Sequence, residues 1–325
     1  MRMATIKDIV KHTGLSLGTV SKYLNGGNVR EENRVKIETA IRELHYRYND
    51  LGRSLKTRRT GLIGILIPSL TEAFSAEIIT RAETVLSREK YAAIVSDAMF
   101  SPGTEKACLD LFVAKRVDGV IAVPVTDDGG AYGKLSEAGI PLVLVDKDLG
   151  GIADAFLLDN RAAGYMAARK LCGAGFSRIG LLRGRLGQQS ADERTEGFLA
   201  GLADCGTAAD PRLIACGDYT VPGEADRTVD ALLKHNPEAV FASNYYFTST
   251  LIAALNRSSR RPAYIGFDNL GFTDLVRPVP ALVTQPMSEY GRLAAEKLLA
   301  RIRGDRSPFR TVRLPADFSA GDTLR

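Results

Sequence analysis

Apolar residues recur along this chain in two rhythms. Up to Tyr46 they fall at helical spacing: Ile6, Ile9 and Val10, then Leu17, Val20 and Leu24, then Val35, Ile37, Ile41 and Leu44. That spacing predicts three short amphipathic helices. Thr5 with Asp8 three residues on reads as a capping box, Gly14 as a break, and Ser16 as the cap of the second helix. Two helices joined by a glycine-containing turn of about three to four residues form the arrangement whose second helix enters the DNA major groove. Its exposed face would carry Gly18, Thr19, Ser21 and Lys22, which are small, hydroxylated or cationic. An ordinary helical hairpin would share the capping but not the third helix.

From Gly61 the rhythm changes. Short apolar runs (62–67, 92–96, 119–123, 142–145, 179–182, 213–216, 239–242, 263–267) alternate with amphipathic stretches of helical length. The pattern runs through twice, with a break near 147–160. This βαβα order predicts parallel sheets covered by helices on both faces, arranged as two similar α/β lobes. A late strand (282–284), a helix (288–303) and a last strand (312–314) are expected to cross back between the lobes.

In open α/β sheets ligands bind beyond the carboxyl ends of the strands. Those ends carry Ser69 and Phe74, then Asp97, Asp146, Asn244, Asp268 and Gln285. Arg194 opens a helix, and Tyr219 follows the 213–216 strand. Carboxylates and amides can chelate hydroxyl pairs while an aromatic ring stacks on a flat face, so the set suits a small polar ligand. For any one of these acids a cap or surface role is the commoner fate. Their repeated position at strand ends is what favours a site.

Charge changes the picture at one end. Net charge is +5, but residues 1–60 hold thirteen Lys/Arg against six Asp/Glu, whereas residues 61–325 hold thirty against thirty-two. A basic footprint confined to the trihelical end suits a partner bound through counterion release. The four cysteines are far apart with no CxxC pair, which reads as reduced thiols and neither a disulfide frame nor a metal site. No apolar run approaches the ~20 residues of a membrane span. The start MRMATIKD has no secretory pattern, so a cytoplasmic location is expected.

The stretches ATIKDIVKHTGLSLGTVSKYLNG and ELHYRYNDLGRSLKTRRTGLIGILIP closely resemble the start of a lactose/galactose repressor (LacI-type) family protein. The resemblance extends over nearly the whole chain. It implies a helix-turn-helix domain at 1–47, a hinge helix or linker at 48–60, and a two-lobed core at 61–325. That core resembles a periplasmic binding protein, with a first lobe at about 61–157 plus 286–312 and a second at about 158–285 plus 313–325. The hinge leucine that wedges into the minor groove falls on Leu55, beside Lys56. Gly52 stands where alanine is usual, which lowers helix stability by roughly 1 kcal/mol. On the DNA-reading helix Leu17 can touch a thymine methyl, Gly18 reads nothing directly, and Lys22 stands where arginine is usual. Thr5 joins the DNA-contacting set, and Ser16, Thr19, Ser21, Asn25 and Tyr46 are expected to hold phosphates.

In the cleft, the family's effector contacts fall on Arg194, Asp268, Tyr219, Asn244 and Phe74, with Gln188 and Ser190 at the lip. Tyr245-Tyr246 stand where an acid is usual, and Ala73 and Ser75 where proline and an aromatic are usual. The expectation is a homodimeric regulator, most simply a repressor, that binds operator DNA. A sugar-like effector is expected, with no cofactor, metal or membrane. Two other classes compare poorly. An α/β enzyme lacks a phosphate-binding glycine loop, and His235 sits in a plain helix end. A transported-solute binding protein would need a secretory signal in place of a basic head.

Overall fold

The computed structural model describes residues 4–24, 26–46, 59–259, 261–268, 271 and 275–324. Asn25, Leu55 and Lys56 lie outside the described residues. The chain divides into two compact units, 1–60 and 61–325.

In the first unit, helices α1 (Ile6–Thr13), α2 (Leu17–Leu24) and α3 (Glu31–Glu43) enclose a small core of Ile9, Val20, Ile37 and Ala40. The capping box is formed: Asp8 Oδ2 accepts from the Thr5 backbone N–H and from its hydroxyl, both at 2.7 Å. Gly14 ends α1 at φ 69°, a left-handed conformation that glycine adopts without a Cβ penalty. Ser16 Oγ accepts from the Thr19 N–H at 3.2 Å and so caps α2. Val35, expected inside, is 52% exposed, because Ile37 and Ala40 hold the inner face of α3.

The second unit holds two sheets, each of six strands among the described residues. In chain order its elements begin β1 (Leu62–Ile67), α4 (Ala73–Arg88), β2 (Ala92–Asp97), α5 (Pro102–Lys115), β3 (Gly119–Ala122), α6 (Gly133–Glu137), β4 (Leu142–Val145) and β5 (Asp154–Leu158). Then follow α7 (Asn160–Gly173), β6 (Ile179–Arg183), α8 (Gln189–Asp204), β7 (Ile214–Cys216), α9 (Glu224–Lys234), β8 (Ala239–Ala242), α10 (Tyr245–Asn256) and β9 (Ala263–Phe267). The chain closes with β10 (Ala281–Thr284), α11 (Met287–Ile302), β11 (Thr311–Leu314) and β12 (Asp317–Ser319).

Lobe 1 has strand order β11-β5-β4-β3-β1-β2 and lobe 2 has β12-β10-β9-β8-β6-β7. All pairs are parallel except β10–β12. The central strands read as unbroken apolar runs because helices cover both faces. β5 was not anticipated: its run DAFLL lies inside the break that the sequence suggested between the lobes. It pairs with β11 through Leu158↔Leu314. This pairing carries the first lobe's sheet to Leu158 and Leu314. The chain passes between lobes after β5, after β10 and after β11. Arg313 on β11 donates to both Glu193 carboxylate oxygens on α8, at 2.8 and 2.9 Å, tying the lobes beside these crossings.

Candidate functional site

The head offers one face of α2. Ser16, Gly18 and Lys22 are exposed, and Leu17 is 51% exposed at the start of the helix. Ser16 Oγ and Thr19 Oγ1 lie 2.9 Å apart, so these hydroxyls position each other. Ser21 is half-buried. Thr5 is engaged with Asp8 at the start of α1. Tyr46 is half-buried and packs against the head core.

The core offers a cleft of about 430 Å³ between its lobes. Nine of the eleven residues expected there line it: Phe74, Asp146, Gln188, Ser190, Arg194, Tyr219, Asn244, Asp268 and Gln285. Ser69 and Asp97 do not. Asp97 accepts from the backbone N–H groups of Leu70 at 3.1 Å and Met99 at 2.7 Å, which braces two loops against each other. Ser69 is buried and bonded to Thr71. The polar atoms of both satisfy loop backbone or a loop neighbour.

Arg194 is the centre of the wall. It is 6% exposed, its Nε donates to Asn160 Oδ1 at 2.7 Å, and its Nη1 donates to the Ser243 carbonyl at 2.7 Å. The guanidinium lies 3.7 Å over the Phe267 ring. That is a desolvated cation–π contact. Burial lowers its pKa, opposed by the carboxylates of Asp146 and Asp268. These two acids end β4 and β9 in matching positions of the two sheets, both with positive φ (67° and 65°). Asp268 accepts from the Gln285 backbone N–H at 3.1 Å and from Gln285 Nε2 at 2.9 Å. Burial pushes its carboxyl up to about 6, against the pull of Gln285 and Arg194. Burial also raises Asp146, against Arg194 and Lys147. Asn244 Oδ1 caps α10 through the Phe247 N–H at 2.8 Å.

Several wall residues were missed by the sequence reading. Tyr219 and Tyr246 stack at 4.6 Å, and Phe100 of lobe 1 meets both edge-on at 6.5 and 6.3 Å. The aromatic contact thus spans the cleft. Gln188 Nε2 donates to the Tyr219 hydroxyl at 3.0 Å. Glu72 of lobe 1 hydrogen-bonds Tyr246 of lobe 2; burial and the nearby acids raise its carboxyl to about 7. Lys147 is held by the Val125 and Thr126 carbonyls, both at 3.1 Å, and by Asp127 at 2.7 Å. That loop is fixed in turn by Glu105, which accepts from the Val125 and Thr126 N–H groups at 2.9 Å and from the Tyr132 hydroxyl at 2.6 Å. The Tyr245-Tyr246 departure could have flagged the aromatic wall. Nothing local flagged Glu72 or Phe100, which the fold brings in from loops.

Residues 5–49 match the lacI family of bacterial regulatory proteins, and residues 63–306 match a periplasmic binding protein domain. The chain is 30% identical over 320 residues to the HTH-type transcriptional repressor PurR of Yersinia pestis, covering 95% of this chain and 94% of that one. The chain belongs to the LacI family.

Among solved structures, the complex of the transcriptional regulator CelR with cellobiose superposes with a TM-score of 0.74 at 25% identity, covering 98% of this chain and 99% of that one. The lac repressor dimer bound to operator and the anti-inducer ONPF gives 0.83 at 21% identity over 99% of both chains, a likeness of fold. As a LacI-family protein the chain is a DNA-binding transcriptional regulator with a head of three helices and a two-lobed α/β core. No helix among the described residues is long and apolar enough to cross a membrane.

Proposed function

We propose that this LacI-family regulator is a cytoplasmic homodimeric repressor whose operator affinity is set by a small polar ligand, a sugar or related metabolite, in the interlobe cleft. The observation that carries this reading is Arg194, buried between two strand-end carboxylates and opposite an aromatic wall supplied by both lobes. Among the described residues, four buried polar atoms have no hydrogen-bond partner: Ser75 Oγ, Ser243 Oγ, Gln285 Oε1 and Tyr290 Oη. Of these only Gln285 lines the cleft, and its unpaired carbonyl oxygen suits a hydroxylated guest, since buried polar groups are normally paired. PurR is named a repressor, and the CelR structure holds cellobiose; both agree with this assignment.

The ligand acts by preferring one lobe arrangement, because equal affinity for both would shift nothing. The lobe setting controls the spacing of the paired hinges, and Leu55 with Lys56 enters the minor groove while Ser16, Leu17, Thr19, Ser21 and Lys22 meet the major groove and its phosphates. The cleft is a binding site and not a catalytic one. Its lining includes none of the three histidines, and its central cation is already fixed by an amide, a carbonyl and a ring.

The test is fluorescence anisotropy on pseudopalindromic DNA with a panel of sugars, nucleosides and small acids. At least one member is expected to change operator affinity about 5- to 150-fold, the usual range of allosteric coupling. No specific DNA binding under any ligand or salt condition would refute the reading. In the same assay, Leu55→Ala is expected to weaken operator binding and DNA bending with ligand affinity intact.

A further inference from the structure

Helices α7 and α8 of lobe 2 run parallel and pack backbone against backbone. A Cβ placed on Gly197 would lie 1.9 Å from the Arg161 carbonyl, and one on Gly164 would lie 2.0 Å from the Arg194 carbonyl. Further along, a Cβ on Gly201 would come 2.8 Å from the Cβ of Ala168. Positions 168 and 201 therefore face each other at a separation that leaves no room for two side chains. One turn later the same register brings Cys172 opposite Cys205. Both thiols are half-buried and free, and Cys205 adds to the burial that raises the Cys172 thiol. Cys172 Sγ also lies 3.8 Å from Thr207 Oγ1, just beyond the end of α8. Arg169 Nη1 donates to Cys205 Sγ at 3.6 Å.

A disulfide needs Cβ atoms about 3.5–4.5 Å apart. Two helices whose backbones nearly touch supply that approach where most helix pairs, with axes about 8–10 Å apart, would not. We propose that Cys172 and Cys205 form a reversible intramolecular disulfide when the protein meets a peroxide. Cys205 attacks the peroxide: its sulfur takes one oxygen as the O–O bond breaks, giving a sulfenic acid and, for hydrogen peroxide, one water. Cys172 then attacks that sulfur, the S–S bond forms, and a second water leaves. The two thiols lose two electrons and two protons in all, and hydrogen peroxide becomes two waters.

The order of attack follows from the surroundings. Arg169 sets a cation against Cys205 Sγ, where the attacking thiolate would form, so Cys205 takes the first step and Cys172 resolves the intermediate. The bond would lock α8, which carries Arg194, to α7, whose Asn160 orients that arginine. The inference is independent of which ligand the cleft takes. Of the other two cysteines, Cys108 lies on α5 in lobe 1, and Cys216 ends β7.

The test uses the full-length reduced protein treated with about two equivalents of hydrogen peroxide and then quenched. Titration after denaturation is expected to show the four thiols falling to two, with dithiothreitol restoring four. Peptide mapping is expected to find one linked pair joining Cys172 to Cys205. Cys172→Ser should leave Cys205 as a sulfenic acid captured by dimedone, and Cys205→Ser should abolish the rapid thiol loss. Four thiols persisting, links through Cys108 or Cys216, links between chains, or unchanged oxidation in Cys205→Ser would each overturn the proposal. The wild-type peptide map decides the matter alone if either serine variant fails to fold.

Discussion

The two lobes share a strand order and end matching strands on an aspartate with positive φ, yet the two aspartates are held differently. In lobe 2, Asp268 is clamped twice by Gln285, and Arg194 is fixed by Asn160, the Ser243 carbonyl and Phe267. In lobe 1, Asp146 has no such amide clamp among the side-chain bonds described; its backbone N–H donates to the Phe156 carbonyl at 2.9 Å, and Lys147 beside it turns to Asp127 and two carbonyls. Lobe 1 contributes Glu72 and Phe100 from loops, beside Phe74 at the start of α4. In lobe 2, Arg194, Asn244 and Asp268 are tied to helices and strands, and Tyr219 comes from a loop. A strand end supplies the place for a ligand contact. Whether the contact is preorganised depends on what packs behind it.

The largest expected effect tests why Arg194 is so well placed. The backbone contact of α7 with α8 leaves no volume at Gly197, so Gly197→Ala must push the helices apart. Overpacking typically costs 1–3 kcal/mol, and a clash with a carbonyl on a neighbouring helix belongs at or above about 3 kcal/mol. Denaturant unfolding should show this loss, with weakened ligand binding in whatever fraction folds. Lobe 1 has one comparable position, Gly291, where a Cβ would sit 2.4 Å from the Ile78 carbonyl. Gly291→Ala should destabilise similarly but leave the geometry around Arg194 unchanged. Equal damage to ligand affinity from both would erase the contrast between lobes.

Arg194→Met comes next. It removes a cation that hydrogen-bonds two groups and sits between two carboxylates. Leaving Asn160 Oδ1 and the Ser243 carbonyl buried without their donor costs about 1–3 kcal/mol for each acceptor. Ligand affinity should fall by 100-fold or more when read by calorimetry. Asp146→Asn should cost less than Asp268→Asn, because the latter also breaks the pairing with Gln285.

Glu72→Gln has an effect that depends on pH. Glu72 has its carboxyl raised from 4.5 to about 7 in the folded chain. Between those values the folded state holds a proton that the unfolded state has released. Its contribution to stability is therefore present at low pH and is lost as pH rises toward 7. Asp268, raised to about 6, acts in the same direction over a narrower window. Glu72→Gln should flatten the fall in unfolding free energy between pH 4.5 and 7.5 by roughly 1–2 kcal/mol, allowing for partial solvent screening. An unchanged slope would mean that Glu72 ionises freely and does not bridge the lobes as a protonated partner of Tyr246.

Much of this was legible in the sequence, for physical reasons. The period of 3.6 in the head and the apolar runs of the core survive in any compact fold, so three helices and two parallel sheets could be read directly. Positions just after strands were legible because the topology fixes where those ends point, and nine of the eleven expected cleft residues line it. β5 was not legible, since its run opens on Asp154 and follows the Gly150-Gly151 loop, so it fell within the break between the lobes. Asp97 and Ser69 are outside the cleft lining and bond loop groups, since a polar residue after a strand serves a loop as readily as a ligand. Glu72, Phe100 and the Cys172–Cys205 pair depend on contacts between segments far apart in sequence or on a helix register set by glycines, which no local pattern reports.

The smallest expected effect divides the aromatic wall between the lobes. Tyr219→Phe removes the hydroxyl that accepts from Gln188 but keeps the ring stacked on Tyr246. One neutral hydrogen bond is worth about 1 kcal/mol net, so ligand affinity should drop no more than about fivefold. Phe100→Leu keeps both tyrosines and removes the lobe 1 ring that meets them edge-on, contacts worth about 0.5–1.5 kcal/mol each. These contacts cross the cleft, so their loss should favour separated lobes and slow ligand capture, whereas Tyr219→Phe alters only one side. Scattering on the unliganded protein would show the difference: Phe100→Leu more expanded than wild type, Tyr219→Phe the same. Equal compaction in both variants would mean that the aromatic contact rests on a lobe spacing already set by the three crossings and the Arg313–Glu193 pair. In that case lobe 1 would be as preset as lobe 2.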